Sequence, residues 1–379
     1  MCPFHAGQAL GAVLGPSAPK AREMPQATIA RRIPKVHLHC HLEGTLRSAT
    51  FVELAGRHGV PLRYRPQRDP SDGPLGEEGA EAADPADPYR FADFREFLMI
   101  FAAVSRSLRD PDDYARLARE FVEDSLAQGV IYGELFVSPS VWTFFNPALD
   151  VRATMEAVVA ELRAARPRAT FKLLPDLTRN FGADRAMQTA RTVAALTDLD
   201  IVGVSLGGDE ARFPAPLFAD VFAYARAQGL RCVAHAGEGD GPHSVRAAIE
   251  LLGAERIGHG IAALRDDAVI ELLAQRRVAL EICPTSNALT GAALDEHPAP
   301  YVDLDRRGCI VTIDCDDPAL FGTSIEAEYA LVEGVAGAAA LERYVRNAIH
   351  ASFASAQEKR AMESQLAAAL VELPAAAGS

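Results

Sequence analysis

Lys35-Val36-His37-Leu38-His39-Cys40-His41-Leu42-Glu43-Gly44 follows a proline, carries three imidazoles at alternate positions, and closes on a carboxylate and a glycine. Successive side chains of a β-strand point to opposite faces, so His37, His39 and His41 are expected to share one face. The closing Glu-Gly reads as the strand running out into a functional loop. A His-x-His pair on one face can seize a metal ion, because imidazole is a borderline-soft ligand suited to zinc.

Beyond this stretch the hydrophobic period switches repeatedly between about 3.6 and 2 residues. Residues 46–59 form a helical pattern stopped by Gly59, and 61–88, crowded with Pro, Gly, Asp and Glu, read as a loop insertion. An aromatic stripe at helical spacing over 91–101 reads first as a helix packed on the body, and second as an apolar lid over a pocket. Helices are expected at 114–128, 151–165, 184–196, 215–228, 244–252 and 267–275, and a helical tail at 324–370. Between them fall strands at 130–137, 170–177, 201–206, 230–236, 256–258, 279–283 and 309–314. With 35–39 as the first, eight strands separated by helices predict an α/β chain built as a (β/α)8 TIM-type barrel with extra helices. A doubly wound open sheet would want a Gly-rich phosphate loop after the first strand, and none is there.

Composition narrows the function. A barrel can hold most of the 379 residues in one domain, expected at 31–379 after a disordered leader at 1–30. Hydrophobic residues at 49% are ample for a core, and no run of about 18 apolar residues suggests a membrane span. A formal charge of −13 argues against nucleic acid, whose binding rests on clustered Lys and Arg. A small-molecule ligand fits better, and a homo-oligomer is compatible with the sequence. Six scattered cysteines without a C-x-x-C pair are the usage of a reducing compartment, which predicts a cytoplasmic protein.

The chemistry collects at the C-terminal ends of the strands, where barrel enzymes carry their catalytic groups. The first strand ends in His39 and His41, the fourth in Gly207-Gly208-Asp209-Glu210, the fifth in His235-Ala236-Gly237-Glu238 and the sixth in His259-Gly260. The seventh ends in Cys283-Pro284-Thr285-Ser286-Asn287, and the eighth in Asp314-Cys315-Asp316-Asp317-Pro318. A lone histidine is more often surface or satisfied core than ligand, and His5, His58, His243, His297 and His350 take that reading. His235 or His259 alone would be a weak signal, but polar groups recurring on one rim exceed what solvation explains. The expected ligands are His39, His41, His235 and Asp316, holding one Zn2+ at the C-terminal face. His37, deeper in the strand, is expected inside the barrel, uncharged and hydrogen-bonded. Glu238, His259 and Asp317 remain for proton work, because a bound metal lowers the pKa of water from about 16 towards about 7 and a nearby base and acid complete the reaction.

These segments resemble the adenosine deaminase family of the amidohydrolase superfamily. The run 34–44, His235-Ala236-Gly237-Glu238, Arg256-Ile257-Gly258-His259-Gly260, Cys283-Pro284-Thr285-Ser286-Asn287 and Asp316-Asp317-Pro318 are similar to its successive signatures, in order. The resemblance implies a zinc-dependent hydrolase of cyclic amidine C–N bonds that converts adenosine or deoxyadenosine to the 6-oxo purine and ammonia, by attack of metal-bound hydroxide at C6. It implies that Glu238 protonates N1, that His259 orients and deprotonates the zinc water, and that Asp317 holds the water and contacts N7. The Gly208 N–H would reach N3, and Glu43, where adenosine deaminases commonly have Asp, would meet the ribose 5′-hydroxyl; His41 lies among the same substrate contacts. Leu206-Gly207-Gly208 and Asp295-Glu296-His297-Pro298 are also similar to aminodeoxyfutalosine deaminases, so a 5′-modified adenosine is an alternative substrate; free adenine is another, although Gly207-Gly208-Asp209-Glu210 resembles the nucleoside-using members more than the Ser-Ser-Glu pattern of adenine deaminases. An inactive binding module of the same fold would be favoured by loss of Glu238 or a ligand, and none is missing. Cytidine-type deaminases need a Pro-Cys-x-x-Cys pair absent here. A two-metal hydrolase would need a bridging Lys or carboxylate from a middle strand; Glu134 in the second strand has no assigned role.

Overall fold

A computed structural model describes residues 29–63, 84–92 and 94–371. Most of the expected leader (1–28) and of the expected insertion (64–83) lies outside the described residues. Eight parallel strands alternate with helices: β1 (Lys35–His41), β2 (Val130–Val137), β3 (Thr170–Pro175), β4 (Gly203–Val204), β5 (Arg231–Ala236), β6 (Arg256–His259), β7 (Ala279–Ile282) and β8 (Ile310–Ile313). They form ladders β1-β2-β3 and β4-β5-β6-β7-β8. Backbone bonds join the ladders at both seams: Leu173 N–H to Asp200 O and Ser205 N–H to Pro175 O on one side, His41 N–H to Asp316 O and Asp316 N–H to His39 O on the other. The result is the (β/α)8 barrel, with each chain-consecutive strand a spatial neighbour.

Strand lengths depart from the sequence expectation. β4 is only two residues long and runs close against β5, where a Cβ on Gly203 would sit 2.3 Å from Arg231 O. Short helices unread in the sequence follow three strand ends, at Pro139–Phe145, Pro284–Leu289 and Pro318–Phe321. Each opens on a proline, whose missing N–H costs nothing in a first turn. The tail divides into Ile325–Ala336, Ala338–Ala351 and Ala356–Val371, the first break falling at Gly337 with φ 84°. At the other end Ile29–Arg32 forms a short helix whose orphan N–H groups at Ile29 and Ala30 are taken by the Glu333 carboxylate at 3.1 and 2.9 Å. Among the described residues no helix is long and apolar enough to cross a membrane.

The expectation that His37 faces inward is corrected by the register of β1. Three steps along β1 from His37 to Cys40 oppose two along β2 from Gly133 to Leu135, so β1 carries a bulge. An inserted residue reverses the alternation beyond it. The Asp314 carboxylate holds this bulge by accepting the N–H groups of both Leu38 and His39, at 2.6 and 3.1 Å. His37 therefore lines a separate cavity of about 410 Å3 against Phe121, Ser125 and Ile325 of flanking helices. Burial pushes its ring down to about 3, so it is uncharged as expected.

Candidate metal centre and catalytic cavity

His39 and His41 leave the end of β1, His235 the end of β5, and Asp316 the turn after β8. His39 Nε2 and His41 Nε2 lie 3.2 and 3.3 Å from Asp316 Oδ1, and His41 Nε2 lies 3.2 Å from His235 Nε2. One donor atom from each of the four falls within 4.8 Å of every other, so the chain has a metal-binding group. Burial pushes His41 down to about 4 and His235 well below its usual range, so both rings are neutral and offer lone pairs. Burial also opposes charge on His39, but Asp316 and Glu281 outweigh it and raise the ring to about 10, a field that favours positive charge at this point. Three imidazole nitrogens and one carboxylate fit zinc, and these four residues would hold it.

Two of the four, His39 and Asp316, are oriented by hydrogen-bond partners. His39 Nδ1 meets Glu281 Oε2 at 2.9 Å, which leaves Nε2 for the metal. The Ser286 hydroxyl donates to Asp316 Oδ2 at 2.7 Å. Burial would raise the Asp316 carboxyl, yet His39 and its neighbours hold it well below the usual carboxylate range. Asp316 itself adopts φ 66°, a left-handed conformation that costs a non-glycine residue energy and that functional sites retain.

Beside the four-residue group stand Glu238, His259 and Asp317, the residues expected to handle protons. Glu238 Oε2 is 3.6 Å from His259 Nε2, which is 3.9 Å from Asp316 Oδ2. Burial raises the Glu238 carboxyl despite His259, which favours a protonated acid. The His259 Nδ1 meets Asn287 Oδ1 at 2.7 Å, a bond that puts the ring proton on Nδ1 and leaves the Nε2 lone pair facing the site. The Glu238 loop is held by Glu210, whose carboxylate accepts the N–H groups of Gly237, Glu238 and Gly239 at 2.6, 3.1 and 2.9 Å. Asp317 is buried beside Asp316, and burial with that neighbour pushes its carboxyl well up. Its seat explains the glycine closing the first motif: a Cβ on Gly44 would sit 1.9 Å from Asp317 Oδ1.

These groups open on a cavity of about 150 Å3 lined by His41, Glu238, Asp317 and Gly208, with Leu98 and Phe101 on its apolar side. The helix Phe94–Ser107 packs on the body as the first reading of the stripe has it: Phe97 is buried against Phe321 at 4.8 Å between ring centres, and Phe97, Leu98 and Phe101 line the cavity. Asp176, Thr178 and Asn180 also line the cavity. Glu43 is not among the lining residues. It is buried, and its Oε1 accepts the Ser138 N–H at 2.9 Å and the Trp142 indole N–H at 2.5 Å.

Sequence reading missed Glu210, Glu281 and Asn287 as supports. The signal for Glu281 was available: a carboxylate in the apolar run Ala279-Leu280-Glu281-Ile282 has to be paired if it is buried. Packing around the ligands is tight enough to test. A Cβ on Gly258 would lie 2.6 Å from His39 Cε1 and 3.3 Å from His235 Cγ, so Gly258→Ala is expected to push both rings aside. Zinc affinity should fall by at least about tenfold, the range seen when ligand orientation is lost, as read by competition with a chelator. An unchanged dissociation constant would mean that the rings can retreat freely.

A family model described as adenosine deaminase matches residues 34–369. An adenine deaminase from Rhodospirillum rubrum is 36% identical over 347 residues, covering 89% of this chain and 96% of that protein. An aminodeoxyfutalosine deaminase from Streptomyces avermitilis is 34% identical over 348 residues, covering 88% of this chain and 90% of that protein. Among solved structures, an amidohydrolase from Burkhoderia ambifaria with bound Zn superposes with a TM-score of 0.80 at 26% identity, covering 94% of this chain and 96% of that one.

Proposed function

The chain belongs to the adenosine deaminase family, and we propose that it is a zinc-dependent hydrolase that replaces the 6-amino group of adenosine by oxygen and releases ammonia. The observation that carries this reading is the placement of Glu238 and His259 side by side, 3.6 Å apart, on the wall of one cavity next to the four-residue metal group. Zinc, when bound, would acidify a water from a pKa of about 16 to about 7.

The chain's own residues account for the rest. Glu238, kept protonated by burial, gives its proton to N1 and draws electron density from C6. His259 Nε2, with its lone pair free, takes a proton from the attacking water and returns it to the departing nitrogen. Asp317 orients that water, and Gly208, held at φ 105°, brings its backbone against the purine edge. Water adds at C6 to give a tetrahedral carbon bearing OH and NH2; the hydroxyl proton then returns to the Glu238 carboxylate as the C6=O bond forms, the C6–N bond breaks and ammonia leaves, N1 keeping the proton that Glu238 gave. Leu98 and Phe101 exclude bulk water on the apolar side, which strengthens each of these interactions. Asp176, Thr178 and Asn180 would receive the sugar hydroxyls.

Free adenine is the second reading, and Glu43 favours it. Its Oε1 is engaged by the Ser138 N–H and the Trp142 indole, and unlike Ser138 it does not line the cavity, so it is poorly placed to take a ribose 5′-hydroxyl. A spectrophotometric panel of adenosine, deoxyadenosine, adenine and a 5′-modified adenosine separates the possibilities by kcat/KM. Adenosine is expected to rank first. Turnover of adenine alone would replace the substrate, and inertness towards all four would remove the deaminase reading.

A further inference from the structure

The interior of a (β/α)8 barrel is ordinarily filled by layers of branched apolar side chains. Here the apolar interior group, Phe136, Leu174 and Val233, shares its space with three fully buried charges. Glu281 of β7 accepts from His39 on one oxygen, at 2.9 Å, and from Arg256 Nε on the other, at 2.5 Å. Arg256, at the start of β6, reaches Glu134 Oε2 of β2 at 2.6 Å as an ion pair. It also donates through Nη1 to Ala351 O at 3.2 Å and lies 3.9 Å from the centre of the Phe353 ring. Glu134 Oε1 accepts the Tyr132 hydroxyl at 2.7 Å and the Phe353 N–H at 2.5 Å. A continuous chain of contacts therefore runs from the segment after the helix Ala338–Ala351, through the barrel floor, to a metal-group histidine.

We propose that Glu281, Arg256 and Glu134 are positioning residues for His39, forming a buried relay that sets the ring's orientation and proton position and thereby ties metal affinity to the C-terminal segment at Phe353. The reading rests on the metal-centre assignment of His39, His41, His235 and Asp316, but not on which purine is used. Burying charges costs several kcal/mol per ion before pairing, and a well-packed apolar plug would serve a barrel floor as well or better. Stability alone is thus a weak reason for the relay. Glu281, like Glu134, has to accept on both oxygens, and it is the member that touches the metal-group histidine directly. An amide in its place has a single acceptor oxygen, and its NH2 would have to face an N–H of either His39 or Arg256. Orienting partners of this kind govern metal affinity through the ligand they hold.

The test compares Glu281→Gln, Arg256→Lys, Glu134→Gln and Phe353→Leu with the parent, reading the zinc dissociation constant by competition with a chromophoric chelator and the melting temperature of the zinc-free protein. Glu281→Gln is expected to weaken zinc binding by about 10–100-fold. Arg256→Lys, Glu134→Gln and Phe353→Leu should weaken it in the same direction by successively smaller factors. In the nitrogen NMR spectrum of zinc-free protein, the His39 signals should shift in Glu281→Gln while those of His235, which the relay does not touch, stay in place. Variants that lose melting temperature yet keep the parent's zinc affinity would overturn the proposal and leave the relay a structural plug. If Arg256→Lys fails to fold, the near-isosteric Glu281→Gln and Glu134→Gln decide the question by the same readings. A parent protein that binds no zinc overturns the proposal together with the metal centre, whereas a zinc-binding protein inert towards purines overturns only the deaminase reading.

Discussion

Glu238→Gln is expected to fold, to keep its zinc, and to lose turnover by about 10²–10⁴-fold, the range for removal of a general acid. Gln matches Glu in size, and the Glu210 carboxylate that holds this loop contacts backbone N–H groups, which the substitution leaves alone. The amide can still donate a hydrogen bond to N1, so KM should change far less than kcat. It cannot deliver a proton, and C6 of a neutral purine is a poor electrophile. The measurement is steady-state kinetics beside zinc content. A Gln variant turning over at the parent rate would take the proton donor away from Glu238 and leave His259 as the candidate.

The second large effect lies in the metal group itself. His235→Ala should drop zinc from about one per chain towards none and reduce kcat/KM by more than about 10³-fold, since a water of pKa about 16 would replace one near 7. His41 and His235 face each other at 3.2 Å as neutral rings, an arrangement with no hydrogen-bond logic unless one of them carries a proton on that side. A shared cation satisfies both lone pairs, so removing one ring opens the coordination without disturbing the strand that bears it. Atomic absorption on dialysed protein and the kinetic assay read the two consequences together. Full metal and full rate in His235→Ala would remove this residue from the site.

Much of the fold was legible because strand and helix periods are local properties. All eight strands were recognisable from runs such as Val130–Val137, and their polar ends marked the working rim before any contact was known. The separate histidine and carboxylate signatures pointed to one centre for the same reason: in a parallel barrel, every strand delivers its C-terminal end to the same face. Local pattern failed where a residue's surroundings are set far along the chain. His37 was assigned to the wrong face because alternation was assumed to run unbroken, whereas a carboxylate 276 residues away from Leu38 stabilises a bulge. Glu43 is linked to a ribose 5′-hydroxyl only through the family resemblance, and no local pattern shows that its partner is Trp142, 99 residues on.

The sequence by itself determined the architecture, the family resemblance and the residue types of the metal group, since period-2 and period-3.6 patterning and the chemistry at strand ends need no knowledge of distant contacts. Only the tertiary structure decided which carboxylates open on the cavity and which brace backbone or other side chains. Glu43, Glu134, Glu210, Glu238 and Glu281 are chemically identical in the sequence, and each acquires its role from what stands opposite it. Glu210 faces three backbone N–H groups, Glu281 an imidazole and a guanidinium, and Glu238 the open cavity. The physical reason is that a carboxylate's protonation and function follow from burial and partners brought together by strand closure, which no single segment encodes.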